Sequence, residues 1–317
     1  MRGPRGQAFC RTFAFALRFP LKGDSERMVT SGNSSTLRTQ LFRTFEDPTY
    51  KPPPLPTVAL ELVALAAKPD VNVEDVVRLL ERDQMLAGAV MRLVGSPIHA
   101  GRGPVRSLSD AVMRLGIRTV RDSVFDVALK KSVFTASGEY AEIMRRIGRH
   151  GTATAYLARV VCRHARVVED QAFLGALLHD VGFAALLLSI LRKKEANPPP
   201  LRELWPDINA LHEQASKTVT KLWGLSTELS LIVANHHHEH TGNSVRIAAV
   251  VNIADYLTQR FDAHILGPAD EEGVPMSACT IPVGMVDDSC TLLGFRDDSF
   301  DRICAEAEPI LREVLRD

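Results

Sequence analysis

Apolar residues along most of the chain recur at the three- and four-residue spacing of an amphipathic helix, and few segments alternate as strands do. The pattern starts in TVALELVALAAK (57–68), and Asn72 supplies a helix N-cap shortly after it. We therefore predict an all-α body from Leu55 to Phe261. Gly, Pro and acidic residues over 267–290 predict an irregular segment, which a last surface helix follows.

One predicted helix is apolar almost all round. Its sequence, AFLGALLHDVGFAALLLSI over 172–190, carries His179 and Asp180 at the centre. An imidazole and a carboxylate are costly to bury without partners. We therefore predict that this helix lies in the core and that a metal ion or a hydrogen-bond network compensates the pair.

Other predicted helices also carry residue types that ligate metals, namely His150, His212, the run of His236, His237 and His238, and Asp255. Imidazole and carboxylate suit Zn, Mn, Fe or Ni, and helix bundles gather such ligands in their cores. Each residue alone has a simpler interpretation as an exposed or locally bonded side chain, and the histidine run as a solvated helix end. Their joint occurrence favours a divalent-metal site. The other histidines are interpreted as surface or structural residues: His99, His164, His240 and His264.

Three segments, FLGALLHDVGFAALLL, HEQASKTVTKLWGLSTELSLIVANHHHEH and VVNIADYL, resemble the HD superfamily of metal-dependent phosphohydrolases. The stretch from PPLPTVAL to SVFDVAL resembles the leading half of the HDOD subgroup. The resemblance implies an all-α, multi-helix HD-type bundle with a preceding smaller helical subdomain. The implied divisions are 53–137 and 138–261, flanked by 1–52 and 262–317. Of these flanks, we expect 1–52 to be a disordered extension and extended lead-in, with Met28 as an alternative start.

By this resemblance the metal ligands are His150, His179, Asp180, His212, His237, His238 and Asp255, with His236 as an alternative within the histidine run. The chain departs from active HD-GYP cyclic-di-GMP phosphodiesterases at three places. Arg146 stands where they carry a glutamate, Phe183 where they carry the lysine of HDxGK, and the GYP motif is missing after the histidine run. Gly95 also replaces the asparagine usual in HDOD proteins. Phosphoryl transfer depends on charge compensation of the kind that lysine supplies.

The resemblance therefore implies a bacterial regulatory protein of signal transduction that acts mainly by protein or ligand binding, with a site for Fe, Mn, Zn or Ni. The alternative is a metal-dependent phosphohydrolase in which Asp180 acts with a metal-bound water. A nucleotide sensor without turnover is a third hypothesis. We expect a signalling protein as partner and a nucleotide as a further candidate ligand.

Charge, cysteine content and hydropathy indicate which partners and which cellular compartment to expect. The 38 basic and 38 acidic residues cancel, so the broad basic surface that nucleic acid requires is not expected. The five cysteines lie far apart without CxxC spacing, which favours a reducing cytoplasm over a disulfide framework. No uncharged run reaches the roughly 20 residues of a membrane helix, so no membrane partner is expected. The Arg-rich stretch 1–27 is left out of the fold prediction.

Overall fold

The computed structural model describes residues 32–99, 101, 103–168, 171–192, 199–234, 236–237, 244–263, 265, 283–296 and 298–316. Within these residues the regular elements are helices and none is a strand, which confirms the predicted all-α fold. In chain order the α-helices are α1 (Gly32–Glu46), α2 (Thr57–Ala66), α3 (Val73–Leu80), α4 (Gln84–Val94), α5 (Leu108–Leu115), α6 (Ile117–Ser132), α7 (Ala141–Ala165), α8 (Ala172–Leu178), α9 (Val181–Leu191), α10 (Leu201–Leu222), α11 (Thr227–Ala234), α12 (Val245–Thr258), α13 (Val283–Leu293) and α14 (Ser299–Val314). Short 3-10 turns lie at Pro97–His99, Gly138–Tyr140 and Gln259–Phe261.

The leading part of the fold, α2 to α6, is a small helical unit. Asn72 caps α3 by accepting a hydrogen bond from the backbone N–H of Asp75, as its position in the sequence predicts. The helices α2 and α4 pack on α6, and α6 in turn contacts α7 and α8. The buried apolar side chains form one cluster that runs through both parts of the fold. Helix α6 therefore joins the leading unit to the rest of the protein.

The second part is organised around the long helix α7, which packs on α8, α12 and α14, while α9 lies against α10. Two glycines permit the closest crossings. A Cβ on Gly151 would lie 2.9 Å from the carbonyl oxygen of Leu177, and one on Gly182 would lie 1.9 Å from that of His212. Because only glycine fits such approaches, these positions set how near the central helices come to one another.

The apolar stretch 172–190, predicted as one helix, is divided into α8 and α9. His179 and Asp180 form the turn between them, and Asp180 has φ −106° and ψ 13°, close to the sparsely populated bridge region in which many active-site residues lie. Taken as one span, Ala172–Leu191 has the length and hydropathy to cross a membrane, but 89% of its window is buried inside the fold. This span therefore lies in the core of the fold.

Two segments expected to be irregular are helical. Within the predicted extended lead-in, α1 packs on α10 and buries Leu41 and Phe45. Residues 283–290 belong to α13, which buries Val286 and packs on α12. Helix α1 has few apolar positions, and α13 directly follows a stretch rich in Gly, Pro and acidic residues, so neither helix stands out in the sequence and tertiary contact decides their structure. Residues 47–52 are not helical, in agreement with the predicted lead-in, while 1–31 and 267–282 lie outside the described residues.

Candidate metal centre

A group of histidine and aspartate side chains from separate parts of the fold meets in the interior of the second half. We call it the metal-centre cluster. Its members are His150 on α7, His179 and Asp180 in the turn between α8 and α9, His212 on α10, His236 and His237 after α11, and Asp255 on α12. All but His237 are less than a tenth exposed, and His237 is partly exposed.

Asp180 lies at the middle of this cluster, and its two oxygens face different histidines. Oδ2 lies 3.1 Å from His179 Nε2 and 3.5 Å from His150 Nε2. Oδ1 lies 3.3 Å from His236 Nε2 and 3.5 Å from His212 Nε2. In the described part of the chain neither oxygen accepts a hydrogen bond of normal geometry. Asp180 thus connects two candidate ligand sets, and each set has its donor atoms within 4.8 Å of one another.

The tautomers of four histidines follow from their backbone contacts. Each Nδ1 lies 2.5 to 2.9 Å from a carbonyl oxygen. The acceptors are Ala263, Ala176, Asn209 and Val233 for His150, His179, His212 and His236 respectively. Because a carbonyl can only accept, each Nδ1 carries a proton, and in the neutral ring each Nε2 presents a lone pair. The lone pairs converge on Asp180, and the carbonyls are the outer contacts that orient metal-ligating histidines.

The Nε2 atoms also approach one another. His150 and His179 are 3.1 Å apart at Nε2, and His212 and His236 are 3.3 Å apart. Asp255 Oδ1 lies 3.1 Å from His150 Nε2. Neutral rings of these tautomers have no proton to share across the short contacts, so the arrangement is unfavourable until a cation or a proton lies between the nitrogens. The donor set therefore fits a divalent metal.

Burial and neighbouring charge set the protonation of the metal-free cluster. Burial alone would lower the pKa of His150, but the nearby carboxylates outweigh it and raise this pKa to about 10. Burial would also lower the pKa of His236, but the negative charge of Asp180, 3.3 Å away, outweighs it and raises this pKa. Burial lowers the pKa of His212 to about 4 and that of His237 to about 3, with the charge of His236 adding to the effect at both. A metal ion would therefore replace protons at His150 and His236.

An aromatic wall closes one side of the cluster. Phe183, fully buried, stacks on the ring of His212 at 4.3 Å and 5° and on that of Trp205 at 4.9 Å and 7°. It stands where the resemblance to active enzymes implies a lysine, so a phosphate group there would meet a ring face rather than a cation. Arg146, at the position of their glutamate, instead pairs with Glu142 at 2.7 Å on the surface.

The predicted site residues are brought together wherever the structure describes them. His150, His179, Asp180, His212, His237 and Asp255 all join the cluster. His236, the alternative within the histidine run, also lies beside Asp180, whereas His238 lies outside the described residues. Of the histidines predicted to be structural or exposed, His164 pairs with Glu306 at 2.8 Å, while His240 and His264 lie outside the described residues.

Two supporting residues were not predicted. Ser216 Oγ accepts from the backbone N–H of Gly182 at 2.7 Å and donates to the carbonyl of His179 at 3.0 Å, so it fastens the turn to α10. Glu213 accepts a 3.0 Å hydrogen bond from the backbone N–H of His237. Ser216 follows His212 by one helical turn, and that i, i+4 spacing is the signal that could have found it.

Comparisons with known proteins find one matching family model and one curated relative that is similar in sequence. A family model described as HDOD domain matches residues 53–239. An uncharacterized protein of Treponema pallidum (strain Nichols) is 24% identical over 224 residues, which cover 67% of this chain and 43% of that protein. The chain thus spans less than half the length of that curated relative.

Several solved structures share the fold at low identity. A HDOD domain protein with unknown function from Geobacter sulfurreducens is 22% identical, with a TM-score of 0.61 over 89% of this chain and 97% of that one. A proposed metal-dependent phosphohydrolase from Shewanella amazonensis SB2B is 18% identical, with a TM-score of 0.61 over 87% and 99%. A proposed signal transduction protein from Marinobacter aquaeolei VT8 is 21% identical, with a TM-score of 0.57 over 90% and 66%. At these identities the likeness shows the fold alone.

Proposed function

We propose a function on the premise that this chain belongs to the HDOD domain family. The protein is a regulatory protein that acts by binding a signalling partner or a ligand. Its metal-centre cluster holds one or two divalent ions. The name of the Marinobacter aquaeolei structure supports the signalling role. The bound ions would be Fe, Mn, Zn or Ni, which histidine and carboxylate ligands suit.

The observation that carries the metal proposal is the unsatisfied state of Asp180. A buried carboxylate whose oxygens accept no hydrogen bond in the described part of the chain is costly, and four Nε2 atoms converge on it. One ion would be held by His150, His179, Asp180 and Asp255, and a second by Asp180, His212, His236 and His237. Bound ions would supply positive charge to both carboxylates and tie the central helices together.

Burial favours a binding role over hydrolysis. His179 is 0% exposed and Asp180 is 2% exposed, and Phe183 covers the side on which a phosphate would need a cation. Among the described residues, a phosphate ester would have to displace packed side chains to reach His179 and Asp180. We therefore propose that the ions hold the fold and its surface in the state that the partner recognises.

The second candidate is a metal-dependent phosphohydrolase. The two oxygens of Asp180 face separate sets of histidines, so this residue would help to hold both ions, and bound ions would supply an activated water for hydrolysis. The name of the Shewanella amazonensis structure points the same way. In this role Asp180 would fix the spacing of the ions, and His212 would keep its orientation through the stack on Phe183.

The test is elemental analysis of protein purified without chelator or histidine tag, with Asp180→Ala and His179→Ala beside the wild type. We expect one or two ions per chain in the wild type, a loss in both variants, and full retention in the exposed control Asp70→Ala. A wild type without metal would refute the metal proposal.

The same preparations separate the two candidates. Cyclic-di-GMP and bis-p-nitrophenyl phosphate are supplied to the metal-loaded wild type, and product is measured by chromatography and absorbance. We expect no turnover above the Asp180→Ala background. Turnover that Asp180→Ala abolishes and Asp70→Ala keeps would favour the phosphohydrolase instead.

A further inference from the structure

A cavity lies where the leading unit meets α7, on a face of that helix that does not carry His150. Its volume is about 270 Å³, and residues of α4, the Pro97–His99 turn, α6, α7 and α14 line it. Val90, Leu93 and Val124 form part of an apolar wall. Ser96, Ser123, Asp126 and Tyr156 provide polar groups on the same lining. A mostly apolar pocket with a few polar groups is the usual form of a small-molecule site.

Two hydroxyl groups on this lining are unsatisfied. Ser123 is 9% exposed, and within the described residues its Oγ has no hydrogen-bond partner. The hydroxyl of Tyr156 interacts with Ser123, but the contact falls short of normal hydrogen-bond geometry at Ser123 Oγ. Ser96 Oγ is buried in the same state among the described residues. Buried hydroxyls are nearly always bonded, so these two indicate an occupant that bonds to them.

The charges on the lining select a neutral occupant. Asp126 already accepts from Thr152 at 2.8 Å and from Lys130 at 3.0 Å, so a cationic ligand would compete with Lys130. Glu313 is a second acidic residue on the lining, while the basic residues there are Arg92 and His99, and burial lowers the pKa of His99, so an anion would be repelled. Each carboxylate oxygen of Asp126 nevertheless keeps a lone pair that can accept a hydrogen bond.

We propose that this cavity binds a neutral nitrogen heterocycle of nucleobase size. Its edge N–H groups donate to Asp126, Ser123 and Ser96 complete the polar contacts, and the ring packs on the apolar wall. The site does not depend on the metal proposal. Because Thr152 bonds to Asp126 and lies two residues from His150 on α7, the cavity and the metal-centre cluster share one rigid helix.

The test is calorimetric titration of the metal-loaded full chain with adenine, cytosine and caffeine. Caffeine is a heterocycle of similar kind without an N–H donor. We expect adenine or cytosine to bind with a Kd below about 1 mM, and caffeine to bind at least tenfold more weakly. No binding of either base, or equal binding of caffeine, would overturn the proposal.

Variants locate the binding. Ala89→Leu places a larger side chain on the lining and should weaken binding of the base at least tenfold, while Ala64→Leu makes the same change on an exposed position of α2 and should leave it unchanged. Ser123→Ala removes one hydroxyl without adding volume, and it decides the matter if Ala89→Leu does not fold. We expect severalfold weaker binding and unchanged metal content in Ser123→Ala. Unchanged affinity in the folded cavity variants would refute this location.

Discussion

Helix α7 separates two buried clusters of charged groups that differ in one respect. On one side is the metal-centre cluster around Asp180. On the other is the α6–α7 ion network, defined as Arg121, Asp122, Asp126, Lys130, Thr152 and Arg159. There the Asp122 carboxylate is 2.6 Å from Arg121 and 2.6 Å from Arg159, through different oxygens, and Thr152 donates to Asp126 at 2.8 Å. In this network protein groups donate hydrogen bonds to the carboxylates, whereas the carboxylate of Asp180 accepts none among the described residues. Completeness of hydrogen bonding distinguishes a structural network from a site that needs an ion.

The largest effect is expected where the scaffold of the metal-centre cluster is broken. In Gly182→Ala the added methyl group would overlap the carbonyl oxygen of His212, which lies 1.9 Å from the Cβ position, and backbone atoms of α10 cannot move away cheaply. We expect destabilisation by more than about 4 kcal/mol and little soluble protein. Soluble yield and urea unfolding measure this.

Gly284→Ala is the matched control for that variant. No heavy atom lies within 4 Å of a Cβ built there among the described residues, and Gly284 lies in α13, so alanine should be neutral or slightly stabilising. If Gly182→Ala unfolds at the same urea concentration as the wild type, the close crossing does not define the centre.

The meeting of these histidine and aspartate side chains was predictable because their residue types are unusual in apolar helices and because their order along the chain resembles that of the HD superfamily. His179 and Asp180 stand out in an apolar stretch, and no packing detail is needed to see that they require compensation. The all-α fold follows from the 3.6-residue period for a similar reason. Both predictions use residue types and their order along the chain, and neither needs a knowledge of packing.

Other features depend on contacts between distant segments and could not be read in this way. The break between α8 and α9 arises where Ser216 bonds to Gly182 and to the carbonyl of His179. The stack of Phe183 between His212 and Trp205 joins two helices. Likewise α1 is stable because it packs on α10, which its own weak periodicity does not reveal.

In the α6–α7 ion network, removal of the Asp122 carboxylate, which two arginines share, should lower stability most. In Asp122→Ala, two buried or largely buried guanidinium groups lose that partner, and we expect destabilisation by about 3–5 kcal/mol with metal content unchanged. Urea unfolding of chelator-treated protein gives the stability, and elemental analysis gives the metal. The exposed pair of Glu308 and Arg312 is the control, since Glu308→Ala should cost less than about 1 kcal/mol. Equal effects of the two variants would contradict the assigned role of the network.

In the metal-free protein, the dependence of stability on pH reports on the protonation of the metal-centre cluster. The pKa of His150 is raised to about 10, so its stabilising contribution is full below its ordinary value of 6.5 and is lost as pH rises towards 10. The pKa of His212 is lowered to about 4, so its contribution is full above 6.5 and is lost as pH falls towards 4. Urea unfolding in chelator should therefore show maximal stability near neutral pH and a loss on the order of 2 kcal/mol by pH 9.5.

Metal loading and the variant His150→Asn test whether the alkaline loss of stability comes from His150. A bound ion replaces the proton at His150, so stability of the loaded protein should not fall over the same alkaline range. His150→Asn should remove most of the alkaline loss in chelator. An alkaline loss that persists in His150→Asn, or that is the same with and without metal, would assign it to other groups.

The smallest effect should come from the aromatic wall. In Phe183→Leu most of the core volume stays filled, but His212 and Trp205 each lose a stacked ring. We expect a loss of about 1 kcal/mol in urea unfolding, because aromatic pairing adds that much beyond burial. Metal affinity, measured by competition with a chelator, should fall a few-fold because the His212 imidazole is less firmly oriented. Phe42→Leu, at a 43% exposed position on α1, should change neither quantity. If Phe183→Leu lowers stability but leaves metal affinity unchanged, the wall fills space beside the cluster without orienting its ligands.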